Sequence, residues 1–149
     1  MRSVITGLIV LVCAAALSAH VTVSPRESRP GATERYTVRV PTEGEVSTVA
    51  VELEVPPMVT VTEVPTGSEF KVVTRREGNR VVAITWTREI KPRESADFMF
   101  TATNPASGEV AWKARQRFAD GTSADWVGVA GDRRPASVTR IVAAPQGGR

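Results

Sequence analysis

The chain of 149 residues contains one histidine, one cysteine and one tyrosine, and only 5% of it is aromatic. The cysteine, Cys13, lies in the apolar N-terminal run from Val4 to Leu17. Once that run is removed no thiol remains, which excludes disulfides, thiolate zinc or copper sites and a cysteine nucleophile. A lone imidazole, His20, also supplies hydrolytic triads poorly. Long apolar segments are missing as well. The N-terminal run falls short of the roughly 20 residues that a membrane span requires, and no second run follows it. Charge of one sign nowhere accumulates. Arginines are scattered from Arg26 to Arg140 without the basic stripe that nucleic-acid binding leaves.

What is present begins with a leader. Arg2 gives a positive start, Val4 to Leu17 an apolar stretch, and Ala14-Ala15-Ala16-Leu17-Ser18-Ala19 the small residues of a cleavage region. Together these predict a secretory signal peptide over residues 1–19. Cleavage after Ala19 makes His20 the first residue of the exported chain. Cleavage after Ser18 fits Ala16-x-Ser18 better and would leave Ala19 in front of it. A lipoprotein cut at Cys13 is disfavoured by Val12 at the preceding position. The expected location is periplasmic or extracellular, with no C-terminal membrane anchor. Only Arg2 leaves with the leader among the charged residues, so the net charge falls from +3 to +2. Residues 20–149 suffice for one domain with a real core and are too few for two ordinary ones.

Beyond the leader the hydrophobic period is two. Tyr36, Val38 and Val40 alternate with polar residues, as do Val49, Val51, Leu53 and Val55, then Phe98, Phe100 and Ala102, and finally Val110, Trp112 and Ala114. Such alternation marks half-buried antiparallel strands. Turn signals separate the runs at Pro30-Gly31, Thr42-Glu43-Gly44, Pro56-Pro57, Pro65-Thr66-Gly67, Pro92, Asn104-Pro105 and Asp120-Gly121. Glu77-Gly78-Asn79 predicts a hairpin loop. No stretch has a clear helical period. The expectation is an all-β, immunoglobulin/cupredoxin-like antiparallel β-sandwich of seven to nine strands over residues 20–142, with a frayed tail at 143–149.

Four pieces then stand in a telling order: His20-Val21-Thr22-Val23-Ser24-Pro25 directly after the leader, Val40-Pro41-Thr42-Glu43, Phe100-Thr101-Ala102-Thr103-Asn104-Pro105, and Gln116-x-Phe118-x-Asp120-Gly121-Thr122 followed by Trp126. In these the chain resembles the YcnI-like family of exported bacterial copper-binding domains, over about residues 20–142. The resemblance implies a β-sandwich binding one Cu(II) through a single-histidine brace: the amine and imidazole of an N-terminal histidine, with a glutamate. It maps the histidine onto His20, the glutamate onto Glu43 and a nearby tryptophan onto Trp126. Family members often carry a C-terminal membrane anchor, and none is expected here.

The residues make chemical sense of that site. An N-terminal histidine offers two nitrogens and a carboxylate one oxygen with a compensating charge, a donor set suited to Cu(II) rather than to sulfur-loving Cu(I). Trp126 offers no ordinary ligand atom but can cap the ion. Glu45 and Glu27 compete with Glu43, whose Thr-Glu-Gly turn would by default hold a solvated carboxylate. Trp86 and Trp112 lie in regular alternation and are expected in the core, whereas Trp126 follows a loop. Met58 and Met99 are too far apart in sequence to suggest a Cu(I) site and are expected to fill the core.

The expected role is copper buffering, storage or delivery at the cell envelope. Expected partners are the copper ion and either envelope copper chaperones or a membrane copper transporter, with no small-molecule substrate. A copper oxidase acting on polysaccharide would also begin with a histidine, but it needs a second one. A metal-free immunoglobulin-like binding module in an envelope complex is the other class, since fold alone does not decide function.

Overall fold

The structure, a computed structural model, describes residues 19–146. The leader and Cys13 therefore lie outside the described residues except for Ala19, and so do 147–149 of the tail. Twelve strands are found among the described residues: β1 (Thr22–Ser24), β2 (Glu27–Ser28), β3 (Thr33–Pro41), β4 (Thr48–Glu54), β5 (Thr60–Glu63), β6 (Lys71–Glu77), β7 (Arg80–Ile90), β8 (Ser95–Thr103), β9 (Gly108–Trp112), β10 (Ala114–Phe118), β11 (Ser123–Trp126) and β12 (Ser137–Ile141). They form sheets ordered β1-β3-β8-β5, β11-β10-β4-β7-β6 and β2-β12-β9. Every pairing is antiparallel except β2 with β12.

The count exceeds seven to nine for two physical reasons. β1 and β2 are too short to show a period. In addition, the apparent single strand from Val110 to Ala114 changes sheets. β9 pairs with β12, β10 pairs with β4 and β11, and the break falls at Lys113. There the Lys113 carbonyl accepts a hydrogen bond from the Glu54 amide, 2.9 Å. Alternation continues across the break, because Val110, Trp112 and Ala114 all stay buried.

The two larger sheets face each other across an aromatic core. Trp86 of β7 stacks on Phe98 of β8 with ring centroids 5.4 Å apart, and Trp112 lies edge-on to Phe100 at the same separation. Such rings bury large apolar areas and add geometric preference to the burial. Without disulfides, this burial carries the fold. Val38, Val40, Leu53 and Ala102 are inward as the period predicts. The hairpin also forms as expected: Glu77 pairs with Arg80 across Gly78-Asn79. Gly78 takes φ 59°, the left-handed value a tight hairpin turn demands of its first central residue.

Two expectations fail locally. Met58 and Met99 are 53% and 44% exposed rather than core residues. Met99 occupies an outward position of β8 between buried Phe98 and Phe100, while Met58 sits in the turn after Pro56-Pro57. In β4, Val49 is only partly buried, while Thr48 and Ala50 on either side are inward. The pairing with β10 explains this. Arg117 faces Ala50 and Phe118 faces Thr48, so Val49 is the extra residue of a β-bulge.

Far from the bulge, Asn104 closes the opposite end of β3. Its side-chain amide donates to Ser28 Oγ at 2.7 Å and to the Arg29 carbonyl at 2.9 Å, and its oxygen accepts from the Tyr36 hydroxyl. Burial, reinforced by nearby Glu34, pushes the Tyr36 hydroxyl up to about 12. A raised value means that the neutral form is the folded one. Its contribution to stability is complete below the ordinary value near 10 and is lost as pH rises through 12. Tyrosinate absorbance of this sole tyrosine should therefore develop near pH 12. Ionisation at pH 10 in the folded chain would contradict the burial.

Candidate metal centre

β1 runs antiparallel to β3, with Thr22 opposite Arg39, so the chain just before β1 passes the end of β3 at Pro41. That register brings His20 beside the loop that follows Pro41. The Ala19 amide donates to Glu43 Oε1 at 3.2 Å, which puts the carboxylate one residue from the backbone nitrogen of His20. On the other side the imidazole lies against Trp126, with ring centroids 5.3 Å apart and planes at 55°. The three residues expected to cooperate, spread over 107 positions of the sequence, thus meet around one open cavity of ≈ 440 Å³.

Trp126 arrives there on the β10–β11 hairpin. Asp120 and Gly121 make its turn, with Asp120 Oδ1 accepting from the Thr122 hydroxyl at 2.6 Å and from its amide at 2.9 Å. These bonds hold the exposed Asp120 carboxyl below its ordinary value, the hydroxyl contributing most. Trp126 is the last residue of β11, the short strand that follows this turn, and it is 8% exposed. Gln116 faces Ala124 and Ala114 faces Trp126, so Gln116 and Trp126 are diagonal neighbours on the inner face.

The competing carboxylates have other neighbours. Glu27 belongs to β2 and forms an ion pair with Arg140. Glu45 lines the same cavity but lies 3.6 Å from Arg93. Glu43 is exposed and accepts a hydrogen bond from the backbone leading to His20. Among the described residues no three of His, Cys, Asp and Glu converge. In that cavity His20 offers one imidazole and Glu43 one carboxylate, and a mature amine at His20 would make a third donor. That nitrogen-rich set with one oxygen fits a tetragonal Cu(II) ion better than a hard cation or a soft one.

The family described as "Domain of unknown function (DUF1775)" matches residues 20–141, almost all of the described chain. This chain belongs to that family. The match spans the stretch over which the motifs resemble the YcnI-like family. A relative from Bacillus subtilis (strain 168), "Copper-binding protein CutI", is 35% identical over 133 residues. The alignment covers 87% of this chain, which spans only 65% of the length of that relative. Among solved structures, a protein from Nocardia farcinica described as having an immunoglobulin-like fold superposes with TM-score 0.72 at 23% identity, covering 85% of this chain and 99% of its own. A type I cohesin from Pseudobacteroides cellulosolvens superposes at 0.51 with 10% identity, over 87% and 96%. Both support the immunoglobulin-like architecture and nothing finer.

Within this DUF1775 domain the motif pieces divide by role. His20, Pro41, Glu43, Gln116, Phe118, Asp120, Thr122 and Trp126 line the cavity. Asn104 instead locks the far end of the sandwich. Sequence reasoning noted Gln116 without giving it a role. It is 2% exposed, and its amide bonds Trp126, Pro41 and Thr48. A lone glutamine among the inward positions of a strand pattern was the available signal.

Proposed function

We propose that this protein is an exported Cu(II)-binding protein that buffers, stores or delivers copper at the cell envelope. One ion is held by the α-amine and imidazole of His20, freed by cleavage after Ala19, together with the carboxylate of Glu43. Trp126 covers the ion. The reading is carried by one observation: the chain just before His20 is hydrogen-bonded to Glu43, while the His20 ring packs on Trp126. The relative named as a copper-binding protein supports the choice of metal.

Copper here is cargo. The chain's only histidine is spent on the metal, leaving no second imidazole for an oxidase site and no general base of that kind. A cavity open to solvent suits transfer to a partner chaperone or transporter. The absence of sulfur donors favours Cu(II), so reduction by ascorbate should loosen the ion.

Binding requires both nitrogens of His20 to be unprotonated, so protons compete with the metal. A competition titration of the processed chain should give one Cu(II) per protein, with affinity falling steadily on acidification. Affinity no greater than that of an unrelated N-terminal peptide would overturn the reading.

A further inference from the structure

We propose that Gln116 is the positioning residue of the metal centre, holding Trp126 over His20 and the Glu43 loop at its base; this rests on the copper reading above. The argument begins with its surroundings. At 2% exposure Gln116 cannot satisfy its amide with bulk water, so its partners must come from the protein. Nε2 donates to the Pro41 carbonyl at 2.8 Å and to Thr48 Oγ1 at 2.7 Å. Oε1 accepts from Trp126 Nε1 at 3.2 Å.

The orientation of that amide is dictated rather than chosen. Thr42 donates its hydroxyl proton to the Ile90 carbonyl at 3.1 Å. Thr48, 2.7 Å from Thr42 Oγ1, must therefore donate to it, leaving its own lone pair for Gln116. The Pro41 carbonyl also accepts only. Both Gln116 amide hydrogens are thus committed on one side. The oxygen is left for an indole that can only donate. Reversing the amide would set oxygen against the Pro41 carbonyl and NH₂ against the indole N–H. A glutamate would fail at Pro41 in the same way unless protonated.

Two parts of the centre are tied to this one side chain. Pro41 is two residues before Glu43, and the bulge at Val49 is what turns Thr48 inward to join the chain of bonds. Gln116 acts on the centre through Trp126 and the Pro41 backbone.

The test compares the mature chain with Gln116→Met, Trp126→Phe and the double variant. In metal-free protein, NMR reads the Trp126 indole N–H and the ring signals of the sole histidine. In Gln116→Met that N–H should exchange faster and the His20 signals should lose the ring-current shift from Trp126. The indole signals of Trp86 and Trp112 should stay in place. With copper bound, each single variant should release the ion about tenfold faster to a chelator, the lower end of what outer-sphere partners contribute. The double variant should be no faster than either, because both changes remove the same element.

Multiplicative loss in the double variant, or His20 signals unmoved in Gln116→Met, would overturn the proposal. Should Gln116→Met fail to fold, Thr48→Val removes one of its anchors at constant shape and should shift the same signals in the same direction; unmoved signals overturn it equally. If the parent takes up no copper, the copper reading falls, and the metal-free spectra still decide whether Gln116 positions Trp126.

Discussion

His20→Ala is expected to abolish stoichiometric Cu(II) binding, weakening it by more than about 100-fold, while leaving the fold intact. Losing an outer-sphere partner alone costs 10- to 100-fold, and this change removes a donor atom and its chelate ring. Stability should move by no more than about 1 kcal/mol, since His20 precedes β1 and stands outside the hydrophobic core. Titration with a competing chelator reads the first quantity and a urea midpoint the second. Retained one-to-one binding at unchanged affinity would mean that the ion sits elsewhere.

The opposite dissociation is expected at Trp86. It is fully buried, stacks on Phe98 at 5.4 Å with planes 18° apart, and lies between Val51 of β4 and Val72 of β6 in the sheet. Trp86→Ala should cost about 3–5 kcal/mol from lost burial and the cavity left behind. A domain of this kind has only about 5–15 kcal/mol in total and no disulfide to fall back on. Trp86→Phe should cost much less. It keeps an aromatic ring and removes an indole N–H that has no acceptor among the described residues. Urea unfolding of metal-free protein checks both. A loss below about 1 kcal/mol for the alanine variant would show that the sheets close without this ring.

The contrast between these residues also shows what can be read from a chain alone. Trp86 and Trp112 were legible as core because their neighbours alternate, and alternation follows directly from the pleat. The hairpin at Gly78-Asn79 was legible because a left-handed turn needs glycine. Thr48 was not, because a single bulge residue at Val49 reverses the face of everything before it, and no pattern announces the extra residue. Lys113 hid the sheet change for a different reason: alternation survives when a strand crosses between sheets that share one core. Met99 misled by composition, since an apolar side chain does sit at an outward position.

The site shows the same division. His20 was conspicuous as the sole histidine at an expected cleavage point. Glu43 and Trp126 came from the family resemblance, and the structure places both around the cavity that His20 lines. Gln116 depends on partners 10, 68 and 75 residues away, which only the folded register assembles. Long-range hydrogen bonds leave no local period to find.

The most direct measurement is native mass spectrometry of two chains that begin at His20, one with a free amine and one Nα-acetylated, each given one equivalent of Cu(II). Acetylation leaves the imidazole, Glu43 and Trp126 in place and removes only the amine donor. The brace requires that the free chain retain one copper and the blocked chain lose it. Equal retention by both would contradict it and assign the ion to side chains alone.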